Sequence, residues 1–398
     1  MNEPRTDRWQ LPDGVDELLP DAAWRVEHLR RSIMDCCYRW GFELITPPLI
    51  EYVDSLLTGT GETMDLQTFK LVDQQNGRTL GVRADMTPQA ARIDAHALKR
   101  DAPNRLFYTG TVLRARADGH GGSRSPQQFG AELFGHSGPE SDIEIIQLML
   151  ETVKLAGIGT DQLVLDLGHV GVYHALKGEL ALSPELEAQL FAAMQRGSVP
   201  DAQSLLSEMS QYKDTVQRIL ALMALRGDAS TIDAASDALA GSPAGVQTAL
   251  DNLRHVVSTV RATHPNLELH IDLSELRGYR YHTGMLFAVH DINGDELARG
   301  GRYDDIGAAF GHARPATGFS GELKRLADRI DTEKAVHDRG IFAALSDRAD
   351  QQQAISDLRS AGERVVCALP AATMDARSAA CTRELVFVNG DWIVRAIG

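Results

Sequence analysis

Apolar residues recur at three- and four-residue spacing through Leu29, Ile33, Cys37 and Trp40. That spacing predicts a helix over residues 21–40, with Asp21 as its N-cap and Gly41 as its stop. Phe42 to Thr46 then reads as a strand that Pro47 and Pro48 end, because proline cannot donate to a ladder. Residues 68–73 and 78–83 flank Asn76-Gly77 and predict a hairpin, and Thr87-Pro88 opens a helix with Thr as its cap. Two β-rich apolar runs, 105–115 and 127–136, predict long antiparallel strands joined by a Gly/Ser/Arg/His loop. A helix over 141–156 and a buried strand over 163–167 follow.

The pattern changes at about residue 173. From there to 263 strand signals vanish and Ala, Leu, Gln and Glu dominate, as in an inserted helical subdomain. Strands return over 267–273, 286–290 and 316–320, with a turn at Asn293-Gly294 and a helix over 321–330. After a polar stretch, residues 331–339, come a strand (341–345), a helix (347–360), a strand (364–369), a further helix, and a hairpin over 384–396 turning at Asn389-Gly390. The expected organisation is a core in two parts, 1–172 and 265–331, around a helical insertion, 173–264, and followed by a small α/β domain, 340–398.

Composition narrows the class without naming it. The chain has 398 residues, 43% of them hydrophobic and 24% charged, as in an ordinary globular protein. No apolar run approaches the ~20 residues a membrane span needs, and the first residues hold no secretory apolar region. Four cysteines without a C-x-x-C pair make neither a disulfide framework nor a zinc site, and fit a reducing cytoplasm. The net charge of −15 argues against a surface built for nucleic acid, though a local basic groove can sit on an acidic protein.

Generic cofactor motifs fail. Gly59-Thr60-Gly61 lacks the Lys-Ser/Thr of a P-loop and the third glycine of a dinucleotide fingerprint, and no HExxH or nucleophile elbow occurs. The chemistry is instead in separated polar clusters. Asp85 and Thr87, at alternate positions, share a face and together suit an ammonium group, while Thr87 alone reads as a helix cap. Gln128 and Glu132, four apart, stand with Arg114 on the open face of the antiparallel pair. Glu132 between Ala131 and Leu133 is a carboxylate in an apolar strand. It either pairs with an arginine or awaits a ligand cation. The run from Glu275 to Gly284 combines Arg277-Gly278 with Tyr279, Tyr281 and His282, and Gly300-Gly301 lets backbone approach a bound group. A last cluster, Gly318 to Leu326, is a strand-to-helix junction carrying Glu322 and Arg325.

In this order and spacing the clusters resemble the class II aminoacyl-tRNA synthetase core, in its histidyl branch. The segment from Leu11 to Pro20 resembles that branch's N-terminal motif, residues 41–48 motif 1, residues 108–135 motif 2 and residues 318–326 motif 3. Residues 277–281 and 299–304 resemble the two stretches of histidine recognition. The resemblance implies an α+β fold with a synthetase-like antiparallel sheet flanked by helices. Two families share that core: histidyl-tRNA synthetases, and the regulatory subunits of ATP phosphoribosyltransferase, which assemble with a short catalytic subunit in the first step of histidine biosynthesis. Four departures favour the second. Residues 82–87 lose the Pro and Gly of the synthetase pattern and shorten its acid to Asp85; Arg280 replaces an acid; Glu322 stands where a small residue faces ATP; and the C-terminal domain is short for anticodon binding.

The resemblance therefore implies a non-catalytic cytoplasmic subunit, without cofactor or metal, that binds free L-histidine as effector. Asp85 and Thr87 would hold the α-amino group, Gln128 would lie near the backbone of the amino acid, and Arg277 near its carboxylate. Glu132, Tyr281 and His282 would meet the imidazole. Arg114 matches a synthetase position that stabilises negative charge, and it serves here either the histidine carboxylate or an internal ion pair. The implied partners are the short catalytic subunit and a second copy through the motif 1 region, within a hetero-octamer, and not tRNA. A histidyl-tRNA synthetase or a histidine-activating paralogue is the alternative.

Overall fold

The structure is a computed structural model that describes residues 10–59, 62–117, 122–276, 278, 281–330 and 340–397. Its contacts divide the chain into two compact units, Met1–Arg329 and Ile330–Gly398. In the first unit, a helix over Pro20–Arg39 buries Val26, Leu29, Ile33, Cys36 and Cys37 on one face. It starts at Pro20, with Leu19 rather than Asp21 as N-cap. Proline's fixed φ suits the first helical position, and Asp21 instead lends its charge to the first turn. Strand β1 (Glu43–Leu44) stops well before the prolines. Next, β2 (Ile50–Tyr52), β3 (Phe69–Val72) and β4 (Thr79–Val82) form a small antiparallel sheet in the order β2-β4-β3. The β3–β4 connection closes through Asp73 N to Arg78 O at 2.8 Å, with Gly77 at φ +74°. The hairpin is as its Asn-Gly implied, while β2 is too short for its periodicity to show.

The main sheet adds β5 (Asn104–Thr111), β6 (Gln127–Phe134), β7 (Leu163–His169), β8 (Arg226–Gly227), β9 (Glu268–Asp272), β10 (Met285–Asp291), β11 (Glu296–Arg302) and β12 (Ala316–Glu322). Its order is β1-β5-β6-β12-β11-β10-β7-β9-β8. The block from β5 to β7 is antiparallel throughout, and β1 and β9 join it in parallel. Strict alternation gives the sheet two faces. Phe129, Ala131, Leu133, Phe319, Leu165, Leu167 and Phe287 make an apolar face, on which the helices Pro139–Lys154 and Ala244–Thr263 lie. The opposite face carries Tyr108, Gln128, Glu132, Glu322 and Arg299 by register. At its β5–β6 end that face turns apolar, and Leu106, Tyr108, Phe134, Tyr303 and Ala316 pack with Ala90 and Ala91 of the helix Thr87–Arg92.

The stretch after β7 is helical as its composition implied, from Val170–Lys177 through Ala244–Thr263, but it contains β8, which extends the main sheet beside β9. Two residues carry no alternation to read. After β12 the helix is short, Leu323–Ala327, because the strand runs on to Glu322 instead of ending at Ser320.

His169 joins sheet to insertion and carries a pH dependence. It ends β7 as N-cap of the helix Val170–Lys177, its Nδ1 accepting from Gly171 N at 3.1 Å. Burial first, then the positive charge of Arg302, lowers its pKa from 6.5 to about 4. The unfolded chain therefore takes up a proton below about 6.5 that the folded chain refuses. Stability is full above that pH and falls by on the order of 3 kcal/mol as the pH drops towards 4. Urea unfolding of wild type and His169→Asn between pH 7 and pH 4.5 checks this. Asparagine keeps the cap, so the variant should lose that part of the acid slope; an unchanged slope would exclude His169 as its source.

The second unit is a four-stranded sheet of β13 (Ile341–Ala343), β14 (Val365–Cys367), β15 (Arg383–Val388) and β16 (Asp391–Ala396), in the order β14-β13-β15-β16. The helix Gln351–Ser360 covers one face through Ile355, Ala354 and Leu358, over Ile341, Ala343, Val365 and Leu385. The helix expected between β14 and β15 does not form. Residues 370–380 run through turns, with Ala371 and Ala380 at positive φ, a conformation that interrupts a helix. The hairpin turns at Asn389 and Gly390, both at positive φ as a two-residue loop requires.

Candidate functional site

The polar face of the main sheet is organised around Glu132. Its side chain is buried, yet three hydroxyls converge on it: Thr87 Oγ1 at 2.9 Å and Tyr108 Oη at 2.8 Å donate to Oε1, and Tyr303 Oη donates to Oε2. The strand left open an arginine or a ligand as partner; the described partners are hydroxyls. Thr87 is the first residue of its helix and not the cap, which frees its hydroxyl for the carboxylate. Asp85 does the local work instead, its Oδ1 accepting from Thr87 N at 3.0 Å. The same oxygen accepts from Gln128 Nε2 at 2.8 Å, while Gln128 Oε1 accepts from Met86 N at 3.0 Å. Asp85, Thr87, Gln128 and Glu132 thus form one continuous network.

Beside Glu132 the sheet is stripped of side chains. Register places Gly318 opposite Glu132 and Gly301 opposite Gly318. A Cβ on Gly318 would collide with the Glu132 carboxylate and come 2.5 Å from Tyr303 Oη. One on Gly301 would come 2.8 Å from His282 Cδ2, so the imidazole of His282 lies over this strip. His282 meets Tyr303 edge-on at 6.4 Å and Tyr281 at 4.6 Å between ring centroids. Gly278, at φ +68°, holds the turn under both rings, its carbonyl accepting from Tyr281 N and His282 N at 3.0 Å each. Tyr281 is more than half exposed and forms the rim. Arg277 lies outside the described residues, as do Tyr279 and Arg280.

Arg114 lies just past the end of β5. Its charge acts on Glu322, whose carboxyl burial pushes up while Arg325, Arg114 and Lys324 pull it down. Glu132 is driven further. Burial holds its carboxyl well above the usual range, against the hydroxyls that favour the charged form, and the nearby charge of Asp85 adds to the rise. Tyr108 is likewise held in its neutral, donating form by burial and by Glu132. A buried, hydroxyl-ringed carboxyl beside a glycine strip and an imidazole suits a small polar ligand with an N–H to donate. Tyr108, Tyr303 and Gly318 lie within the stretches 108–135, 299–304 and 318–326 that carry the resemblance, but strand pairing that no local pattern shows is what brings them to Glu132. Among the described residues no group of three or more His, Cys, Asp and Glu side chains is placed to hold a metal. No described helix is long and apolar enough to cross a membrane. A cavity of about 440 Å³ opens elsewhere, at Trp40, Glu151, Lys154 and His264, and no predicted site residue lines it.

The antiparallel sheet flanked by helices is the fold of the histidyl class II synthetases. A family model described as histidyl-tRNA synthetase matches residues 14–326. Among solved structures, an ATP phosphoribosyltransferase regulatory subunit/histidyl-tRNA synthetase from Bacillus halodurans aligns with a TM-score of 0.80 at 26% identity, over 95% of this chain and 97% of that one. The histidyl-tRNA synthetase of Nostoc shares the fold at a TM-score of 0.74 and 18% identity, over 98% and 97% of the two chains. A second model, described as the C-terminal domain of the ATP phosphoribosyltransferase subunit HisZ, matches residues 338–395. The ATP phosphoribosyltransferase regulatory subunit of Thioalkalivibrio sulfidiphilus is 51% identical over 96% of both chains, and that of Chromohalobacter salexigens 49% over 98% of this chain and 99% of its own. The chain belongs to the ATP phosphoribosyltransferase regulatory subunit family, a family of non-catalytic subunits in histidine biosynthesis.

Proposed function

We propose that the chain activates a short ATP phosphoribosyltransferase catalytic subunit and carries the histidine feedback signal, with free L-histidine bound on the Glu132 strip. The observation that carries this reading is the buried Glu132 carboxyl, ringed by Thr87, Tyr108 and Tyr303 beside Gly318. An imidazole N–H donates to that carboxyl, and transfer of the proton to the ring makes the bond charge-assisted. Asp85 and Thr87 take the ammonium group, Gln128 lies along the amino-acid backbone, and Arg277 takes the carboxylate. Tyr281 and His282 close over the ring. Inhibition then follows from a difference in histidine affinity between active and inactive complexes, a coupling of ~1–3 kcal/mol that acts reciprocally on substrate binding. Exposed Leu44 in the motif 1 region, with Leu49 and Ile50 just past it, supports a homodimer within a larger hetero-oligomer, the hetero-octamer.

Calorimetry tests the site. Glu132→Gln should weaken L-histidine binding tenfold or more, the cost of one lost charge-assisted bond. Histidine binding equal to wild type would remove Glu132 from the site. Reconstitution tests the role: adding the chain should raise catalytic-subunit activity, and histidine should depress it with wild type but not with Glu132→Gln. ATP–pyrophosphate exchange driven by histidine would move the chain to the synthetase reading.

A further inference from the structure

Within the second unit, β16 is an outer strand of the sheet. Strand β16 pairs with β15 on one side, and Ile393, Val394 and Arg395 are exposed. It has no proline, and its ladder with β15 runs without a register shift. Natural edge strands usually carry such features to prevent pairing. Ile397 N donates inward to Thr382 O at 2.9 Å, so with a two-residue period the odd-numbered positions of β16 turn their N–H and C=O towards β15. Trp392, Val394 and Ala396 turn theirs outward.

We infer that β16 is a contact between two copies of this chain, pairing antiparallel about a two-fold axis through Ile393. Parity restricts the register, because outward residues must meet outward residues. Pairing about Ile393 sets Trp392 against Val394 of the second copy and Ile393 against itself. It also sets Asp391 against Arg395 twice, one pair at each end. Of the two allowed neighbouring registers, that about Val394 sets Arg395 against Ile393 and Asp391 against Ile397, and that about Trp392 sets Asp391 against Ile393 and Arg395 against Asn389, so each loses both charge pairs. Arg395 already bonds Glu384 Oε1 at 2.6 and 3.1 Å on β15, so its guanidinium fork would bridge two carboxylates. The contact is isologous, as a closed dimer requires. Its strand edge is short for the ~1,000 Å² of a stable interface, so it should form in the tens-of-micromolar range or within a larger assembly.

The full-length chain tests this by light scattering at high concentration. Asp391→Lys should lower the assembly mass by splitting every pair joined through β16, because it sets Lys against Arg395 at both ends. Arg395→Glu should do the same by setting Glu against Asp391. An equimolar mixture of the two variants should recover the wild-type mass, since each supplies the charges the other lacks. Recovery also excludes misfolding as the cause. Ile393 lies on the axis as a non-hydrogen-bonded pair, with Cα atoms about 4.5 Å apart, within disulfide reach. Ile393→Cys should therefore give an oxidised dimer that Val394→Cys and the parent chain do not. Unchanged mass in both charge variants, or cross-linking through Val394→Cys instead, overturns the assignment. Retained mass with lost binding of the catalytic subunit would give the edge to that partner and overturn it equally.

Discussion

Gly318→Ala should both destabilise the first unit and abolish histidine binding. The added Cβ has no free direction: it meets the Glu132 carboxylate, Tyr303 Oη at 2.5 Å and the carbonyl of Ala131 at 2.7 Å. The carbonyl belongs to the neighbouring strand and cannot yield without disturbing the β6–β12 ladder. The carboxylate cannot swing away without leaving Tyr108 and Thr87 short of their acceptor. Overpacking of this kind costs ~1–3 kcal/mol, and breaking a buried polar network adds to it. Denaturant unfolding should show a loss at or above the upper end of that range. Calorimetry should show histidine affinity reduced at least as far as in Glu132→Gln. Gly178→Ala is the control, since a Cβ there meets its nearest neighbour, the His174 carbonyl, at 3.3 Å. A Gly318→Ala chain as stable as this control, binding histidine normally, would refute the idea that the strip is cleared for a ligand.

The glycine strip also marks where sequence reasoning reaches its limit. The network's members were legible because each has a local signature. Asp85 and Thr87 read as one face by period two, although the structure ends β4 at Val82 and opens a helix at Thr87, and Glu132 is conspicuous among Phe129, Ala131 and Leu133. Their convergence is not legible from periodicity, because it depends on the segment after β4 meeting β6 through bonds between residues 42 to 45 apart. It came through resemblance. Tyr108 is hidden for a related reason: an aromatic in an apolar strand reads as core, and only the register shows that its hydroxyl reaches a carboxyl; Tyr303, just past β11, is brought there by the tertiary fold alone. Arg114, placed with Glu132 by pleat parity, lies past the end of β5, and its charge acts on Glu322, which shares the polar face with Gln128 and Glu132. In the second unit the hairpin was read from Asn389-Gly390. The helix expected after β14 is replaced by turns, with Ala371 and Ala380 at positive φ.

Arg302→Ala should be the most destabilising single truncation behind the site. Arg302 follows Gly301 on β11 and therefore points to the opposite, apolar face, where its side chain is 7% exposed. There its Nε lies 3.1 Å from Asp142, itself 4% exposed, and its other nitrogens bond Ser141 Oγ at 2.7 Å and the carbonyls of Gly138 and His136 at 2.9 and 3.1 Å. These groups form the entry to the helix Pro139–Lys154, the main cover of that face. Burial pushes the Asp142 carboxyl up, and the charge of Arg302 is the first thing holding it down. Removing the arginine leaves a buried carboxylate uncompensated, which costs ~3–5 kcal/mol. The sign of the pH dependence follows. Without Arg302, the folded-state pKa of Asp142 rises further above its unfolded value, so stability is retained at low pH and lost as the pH rises through that value. Arg302→Ala should thus lose most stability near neutrality and less in acid, and Asp142→Asn added to it should recover part of the loss. Denaturant unfolding of the four chains of this cycle at pH 5 and pH 8 measures the coupling directly. Histidine binding should weaken in parallel, because the Arg302 carbonyl accepts from Thr283 N at 2.8 Å, next to His282, and Tyr303 is the next residue in the chain. A double variant no more stable than Arg302→Ala would mean that the helix entry, and not the stranded charge, carries the cost.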